Sequence, residues 1–316
     1  MHSLINRFLQ ISSNLKSVCS NRINIFVAAV IFIPLLTTLF LVISGLIFQV
    51  RSFTWVLFII GYCLTVLGIT VGYHRYLTHK SFTTGRVMST VLIALGCMAY
   101  EGPPSFWVGI HRKHHISPDT AIDPHSPYQE QRLSLRTFLH SHIGWMFNIK
   151  LSEWQPYIKD IKRQKVIRFF DRYYVAIAFS GLLIPAAING WYYHSWEQFV
   201  IGFLVCGVFR VFVQHQVTWS INSVCHVWGK SHFQTVDNSK NNSLLGILAL
   251  GEGWHNGHHA FPRSARHGLL KGQIDISYGF IRFLERLGLA TEVREVSRIS
   301  IIKKLLQKQQ ELKKGG

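Results

Sequence analysis

The sequence predicts an all-α integral membrane protein: four transmembrane helices in two hairpins, with a helical cytoplasmic cap that holds a dimetal site. Three features carry this reading. Four long stretches of chain are almost free of charge, Lys and Arg are distributed one-sidedly between them, and nine histidines gather in four short clusters.

A helix crosses the hydrocarbon core of a bilayer in about 20 residues. Phe26 to Val50 contains no charged residue, Ser52 to His74 contains none, and Arg51 is the only charge between them. A third uncharged run covers Tyr173 to Trp196, with Pro185 inside it and the turn-forming pair Asn189-Gly190 near its end. The fourth begins at Gln198 and is interrupted only by Arg210. Very short connections join the runs in pairs, which makes two hairpins. Val87 to Tyr100 is also uncharged, but at fourteen residues it suits a buried or interfacial helix rather than a crossing. A crossing there would keep the four histidine clusters from sharing one side of the membrane. The chain therefore divides into a cytoplasmic N-terminus (1–25), a first hairpin (26–73), a cytoplasmic region (74–172), a second hairpin (173–219), a second cytoplasmic region (220–290) and a charged tail (291–316). Within 274–289, Phe280, Ile281, Leu284 and Leu287 recur at helical spacing, as in a helix lying on the membrane or on the cap.

The chain carries 33 Lys and Arg against 15 Asp and Glu, a net charge of +18, yet it is 48% hydrophobic with a mean hydropathy of +0.20. Such a basic excess is compatible with nucleic-acid binding, but its placement argues otherwise. The outer turns hold only Arg51, Arg210 lies inside the fourth run, and the remainder sits at the N-terminus, in 75–172 and after Trp219. That is the positive-inside pattern, which puts both termini and the middle region in the cytoplasm. No DNA-reading module or RNA-binding aromatic motif accompanies the charge, whereas a basic rim suits anionic lipid headgroups. The apolar run that follows Arg7, Lys16 and Arg22 is too long for a signal-peptide core and reads as a retained anchor. Cys19, Cys63, Cys97, Cys206 and Cys225 are odd in number and widely spaced, as expected of free thiols.

The histidine clusters carry the chemistry. His74 and His79 stand in GYHRYLTH, His111, His114 and His115 in HRKHH, His226 in NSVCH, and His255, His258 and His259 in GEGWHNGHH. One ion needs about four ligands, so nine imidazoles imply two ions. HRKHH and HNGHH each place histidines at i, i+3 and i+4, on one stripe of a helix. On a continuous α-helix His74 and His79 would lie about 140° apart, so convergence requires the helix to end or bend between them. His226 extends the fourth helix into the cytoplasm, with Asn222 one turn earlier. His125, His215 and His267 read as supporting rather than ligating residues. Imidazole suits iron, zinc, copper or nickel. The H-E-x-x-H of zinc hydrolases and the Glu-x-x-His pairs of ferritin-like centres are both absent. Iron held by neutral imidazoles remains strongly Lewis acidic, suited to reducing dioxygen. At a membrane surface its target is a C–H bond in a lipid.

From about Gly72 to Leu289 the chain resembles the membrane fatty acid desaturases with three histidine boxes: GYHRYLTHKSF, WVGIHRKHH followed by DPH and SHIGW, TWSINSVCH, and GEGWHNGHHAFPRSARHG stand in family order and spacing. The likeness is greatest to the Δ9 (stearoyl) type and, within it, to the bacterial and cyanobacterial branch. The resemblance implies that the nine histidines ligate two Fe ions, that Asn222 holds a water on one of them, and that O2 is the co-substrate in forming a cis double bond in a saturated acyl chain. Trp107 and Trp219 are candidate walls of a tunnel for the chain, or interfacial belt residues. Animal members have an Arg-Asp pair where Gly109 and Ile110 precede His111 here, which argues against an animal-style acyl-CoA site; the acyl carrier stays open between lipid and CoA. No HPGG haem-binding segment is present. The two electrons then come from a separate ferredoxin, rubredoxin or cytochrome b5 type donor, docking on the basic cytoplasmic face. Histidine-box alkane or sterol hydroxylases share the dimetal logic, and a metal transporter is a remote alternative that would need ligands inside the spans.

Overall fold

A computed structural model of the chain describes residues 24–128 and 132–314. Most of the N-terminal segment 1–25, with Cys19, therefore lies outside the described residues. Among the described residues, four helices are long and apolar enough to cross a membrane: α1 (Asn24–Ile43), α2 (Ser52–Thr78), α7 (Tyr174–Tyr192) and α8 (Trp196–Val227). Between and after them come α3 (Arg86–Cys97), α4 (Pro104–Ile116), α5 (Leu135–His142), α6 (Lys165–Arg172), α9 (Ser243–Leu248), α10 (His255–Ala260), α11 (Ile276–Arg286) and α12 (Arg298–Lys314). The first uncharged run continues to Val50, but α1 stops at Ile43: Gly45 turns left-handed at φ 73° and Leu46–Gln49 follows as a 3₁₀ turn.

Helix lengths put the site where it is. At 1.5 Å per residue the 27 residues of α2 and the 32 of α8 measure about 40 and 48 Å, longer than the roughly 30 Å hydrocarbon core. The surplus turns carry His74 on α2 and Asn222 and His226 on α8. The last part of α2, Gly68–Thr78, is wound as a π-helix. This is how the His74/His79 problem is solved. The helix runs past His74 without ending, and the wider i→i+5 turn, closed by the His79 amide donating to the His74 carbonyl at 3.1 Å, brings the two rings edge to face with centroids 4.8 Å apart. Close approach to α3 accompanies this winding, since a Cβ on Gly72 would lie 2.8 Å from the Leu92 carbonyl oxygen. The 12-residue α3, the short apolar segment of the sequence, buries Leu92, Ile93, Gly96 and Cys97.

The cation within α8, Arg210, is buried and satisfied. Arg210 donates to the Cys206 carbonyl at 3.1 Å, the Met98 carbonyl at 3.1 Å, the Thr65 hydroxyl at 2.9 Å and Gln214 Oε1 at 3.0 Å. A second buried cation, Arg75, ties α2 to the last third of the chain through the Asp275 carboxylate at 3.0 Å and the Ala265 carbonyl at 3.1 Å. Asp275 also caps α11 by accepting from the Tyr278 amide at 2.9 Å. On α11, Ile281 and Leu284 are buried while Phe283 and Leu287 face outward; Leu287 is thus not on the packed face. A two-residue antiparallel ladder pairs β1 (Thr83–Thr84) with β2 (Ala290–Thr291).

Candidate metal centre

All nine clustered histidines come together. Ring nitrogens of His74, His79, His111, His115 and His258 form one group and those of His114, His226, His255 and His259 a second, each within 4.8 Å overall. The helix stripes divide between them. On α4, His111 and His115 (i, i+4) enter the first group and His114 the second; on α10, His255 and His259 (i, i+4) enter the second and His258 the first. The two groups adjoin, with ring centroids of His115 and His259 4.6 Å apart.

In the first group the Nε2 atoms of His74 and His258 are 3.1 Å apart, His258 and His115 2.9 Å, His115 and His111 3.0 Å, and His111 and His79 3.2 Å. In the second, His114 and His259 are 3.3 Å and His226 and His255 3.1 Å apart. Two nitrogens each about 2.1 Å from one ion and at right angles to each other would be about 3 Å apart, so each group has spacings that could hold a metal ion. The opposite ring nitrogens meet carboxylates. His74 Nδ1 donates to Glu252 at 2.6 Å, His114 Nδ1 to Asp123 at 2.8 Å, His226 Nδ1 to Asp119 at 3.0 Å and His259 Nδ1 to Asp237 at 2.8 Å. That is the outer arrangement by which proteins fix the orientation of ligating imidazoles and raise their basicity.

Protonation agrees with this geometry. Burial, then mutual repulsion among the rings, holds His79, His111, His115, His255 and His258 well below the ordinary imidazole range, leaving neutral rings with a lone pair to give. Burial alone would raise the Asp119 carboxyl, but His226 and the Asn238 and Ser126 donors bring it down to about 2. Asp123, Asp237 and Glu252 are likewise held low, against burial, by their histidine partners. These four carboxylates escaped sequence reasoning. Asp119, Asp123 and Glu252 lie close to histidine clusters and so had a proximity signal, whereas Asp237 sits in a loop with none.

Other histidines take lesser places. His125 lies beside His114, ring centroids 4.5 Å apart, and His267 lies 4.4 Å from His258 with its Nδ1 3.5 Å from Glu252. His215 donates to the Ala99 carbonyl at 3.1 Å and stacks on Trp219 at 4.5 Å.

A cavity of about 490 Å³ leads to the histidines. His74, His111, His255 and Asn222 are among its lining residues, as are Trp107 and Trp219. Trp107 stacks on His111 with centroids 5.0 Å apart, and its indole N–H donates to Glu101 Oε2 at 3.1 Å. Burial pushes the Glu101 carboxyl up to about 7 despite hydrogen bonds with Trp107, Thr218 and Gln214.

A family model described as fatty acid desaturase matches residues 49–272. Among curated proteins, the chain is 40% identical to a hex-5-enoyl-[acyl-carrier protein] acetylenase of Moorena producens (strain JHB) over 74% of this chain and 74% of the relative. It is 37% identical to an sn-1 stearoyl-lipid 9-desaturase of Anabaena variabilis over 72% of this chain and 79% of the relative. With an acyl-CoA C20 Delta5-desaturase of Anemone leveillei the identity is 36%, over 80% and 77%.

Proposed function

The chain belongs to the fatty acid desaturase family, and from that premise we propose that it converts a saturated fatty acyl chain, at Δ9, to a cis alkene with two irons, dioxygen and two electrons from an external donor. The balance is simple. The chain loses two hydrogens from adjacent methylenes, and these with two further electrons and two protons reduce O2 to two waters. The observation that carries the reading is the pair of histidine groups, five and four, at the head of an apolar cavity.

In this proposal His74, His79, His111, His115 and His258 would hold one iron and His114, His226, His255 and His259 the other, with Asn222 holding a water on one of them. The neutral rings and the near-right-angle nitrogen spacings support that fit. Iron, when bound, supplies the oxidising power toward an unactivated C–H bond. The remaining work falls to the protein. Glu252, Asp123, Asp119 and Asp237 orient the imidazoles. Trp107 and Trp219 hold the acyl chain and keep water from it, so that one carbon pair is presented for reaction.

We place the histidine cap and both termini on the cytoplasmic side of two helical hairpins, with the acidic donor on the basic face. Metal transport finds no support. Arg210 and His215, the polar groups it would need inside the spans, are both engaged with main-chain carbonyls. The test is expression in cells and mass-spectrometric profiling of their acyl chains. A new cis Δ9 alkene that disappears with His258→Ala is expected; hydroxylated chains, or an unchanged profile, contradict the reading.

A further inference from the structure

The second histidine group leans on one loop. Residues 232–239, between α8 and α9, supply Asp237, whose carboxylate accepts from His259 Nδ1 at 2.8 Å, and Asn238, whose amide donates to Asp119 Oδ2 at 2.7 Å. Asp119 in turn accepts from His226 Nδ1 at 3.0 Å. Two of the four rings of that group, one from α8 and one from α10, are thus aimed through a segment that is neither helix nor strand. Such a segment keeps a side chain in place only where its surroundings fix it. On one side the buried Asn256 of α10 does so, accepting from the His232 and Phe233 amides at 2.8 Å each and donating to the Phe233 carbonyl at 3.1 Å. Helix α12 is the other support. Ile301 and Leu305 pack on the cluster of Phe233, Ala260 and Leu269. Lys304 Nζ donates to the Gln234 carbonyl at 3.2 Å and Lys308 Nζ to Gln234 Oε1 at 3.1 Å. The charged tail of the sequence is therefore a docked helix, and two of its amines converge on a residue three positions before Asp237.

The first group has a different support: its carboxylate, Glu252, pairs with Arg75 at 3.3 Å. From this asymmetry we propose that α12 is a clasp for one metal group only. Lys304 and Lys308 hold Gln234, the loop so fixed presents Asp237 and Asn238, and these aim His259 and His226; α12 thereby sets how firmly the second group keeps its ion, while the first group is indifferent to it. Both lysines are positioning residues that act through the loop. The apolar and polar contacts of α12 divide the work. Burial of Ile301 and Leu305 contributes most of what keeps the helix docked, whereas the amines fix which part of the loop it grips. Met in place of each lysine keeps an apolar stem and loses the bond. Two such bonds of ordinary strength correspond to about a tenfold change in how often the loop lets go.

The inference rests on the two-metal reading, and the test keeps them apart. Amide hydrogen exchange is measured first, on the metal-free full chain in detergent. In the double variant Lys304→Met, Lys308→Met, peptides covering 232–239 should exchange about tenfold faster than in the wild type and those covering 68–78 at the same rate. An unchanged rate at 232–239, or equal acceleration of both regions, overturns the clasp. Release of ferrous iron to a chromogenic chelator is then followed on protein loaded with iron. One of the two irons should leave about tenfold faster from the double variant, and the other at its wild-type rate. Asp237→Asn should speed the same iron, and adding the two lysine substitutions to it should change that rate by less than about twofold, because all three act along one line of contacts. Acceleration of both irons alike, of neither, or a full further tenfold on the Asp237→Asn background overturns the inference. A wild type that binds fewer than two irons removes the two-metal reading, and the exchange result alone then decides whether α12 fixes the loop.

Discussion

Replacing Glu101 with Gln should change how stability depends on pH, because this carboxyl sits in the wall of an apolar cavity and keeps its proton up to about pH 7. In the unfolded chain it ionises near its ordinary 4.5. Between these two values the unfolded state loses a proton that the folded state retains, so folding is progressively disfavoured as pH rises from about 4.5 to 7 and the full cost persists above 7. At 1.36 kcal/mol per pH unit the cost is about 3 kcal/mol. Gln preserves an acceptor for the Trp107 indole and has no proton to lose. Other titrations, those of the histidines included, are common to both proteins and cancel in the difference. Thermal unfolding in detergent at a series of pH values should show the melting-temperature difference, variant minus wild type, growing by on the order of 5 °C from pH 4.5 to 7.5 and then levelling. A difference that stays flat across this range would refute a buried, protonated Glu101.

Further outcomes follow from the same structure. His258→Ala should abolish desaturation while the protein remains membrane-inserted, as checked by acyl-chain analysis beside alkaline extraction of membranes; retained activity contradicts its assignment as a ligand. Asp237→Asn removes the carboxylate 2.8 Å from His259 Nδ1 and should weaken metal retention 10–100-fold against a chelator. Trp107→Leu, which removes the ring stacked on His111, should scatter the double bond over neighbouring carbons; a single unchanged position would show that this side chain does not set the register of the acyl chain.

Much of the site was legible because its chemistry is local in sequence. HRKHH and HNGHH reveal themselves by i, i+3, i+4 spacing, and the membrane helices by uncharged length. The division of each stripe between two groups was not legible, because it depends on how α4 and α10 are rotated toward each other, which only packing decides. The His74/His79 spacing foretold a departure from regular α-helix but not its form: a π-wound end of α2 differs from a bend only through backbone bonding and the Gly72–Leu92 contact with α3. Asp237 reaches His259 from 22 positions away in sequence through an irregular loop, and no periodicity marks it. Glu101 had the look of a helix boundary in Glu-Gly-Pro-Pro, and its place beside Trp107 needed the cavity to be seen.

The central claim is that two ions sit side by side among these nine imidazoles. Elemental analysis of the purified full chain, expressed with iron and quantified against amino-acid analysis, tests it most directly. Two irons per chain are expected, falling when His258 or His255 is replaced by Ala; one iron or none in a folded wild-type protein, or a content indifferent to both substitutions, would contradict it.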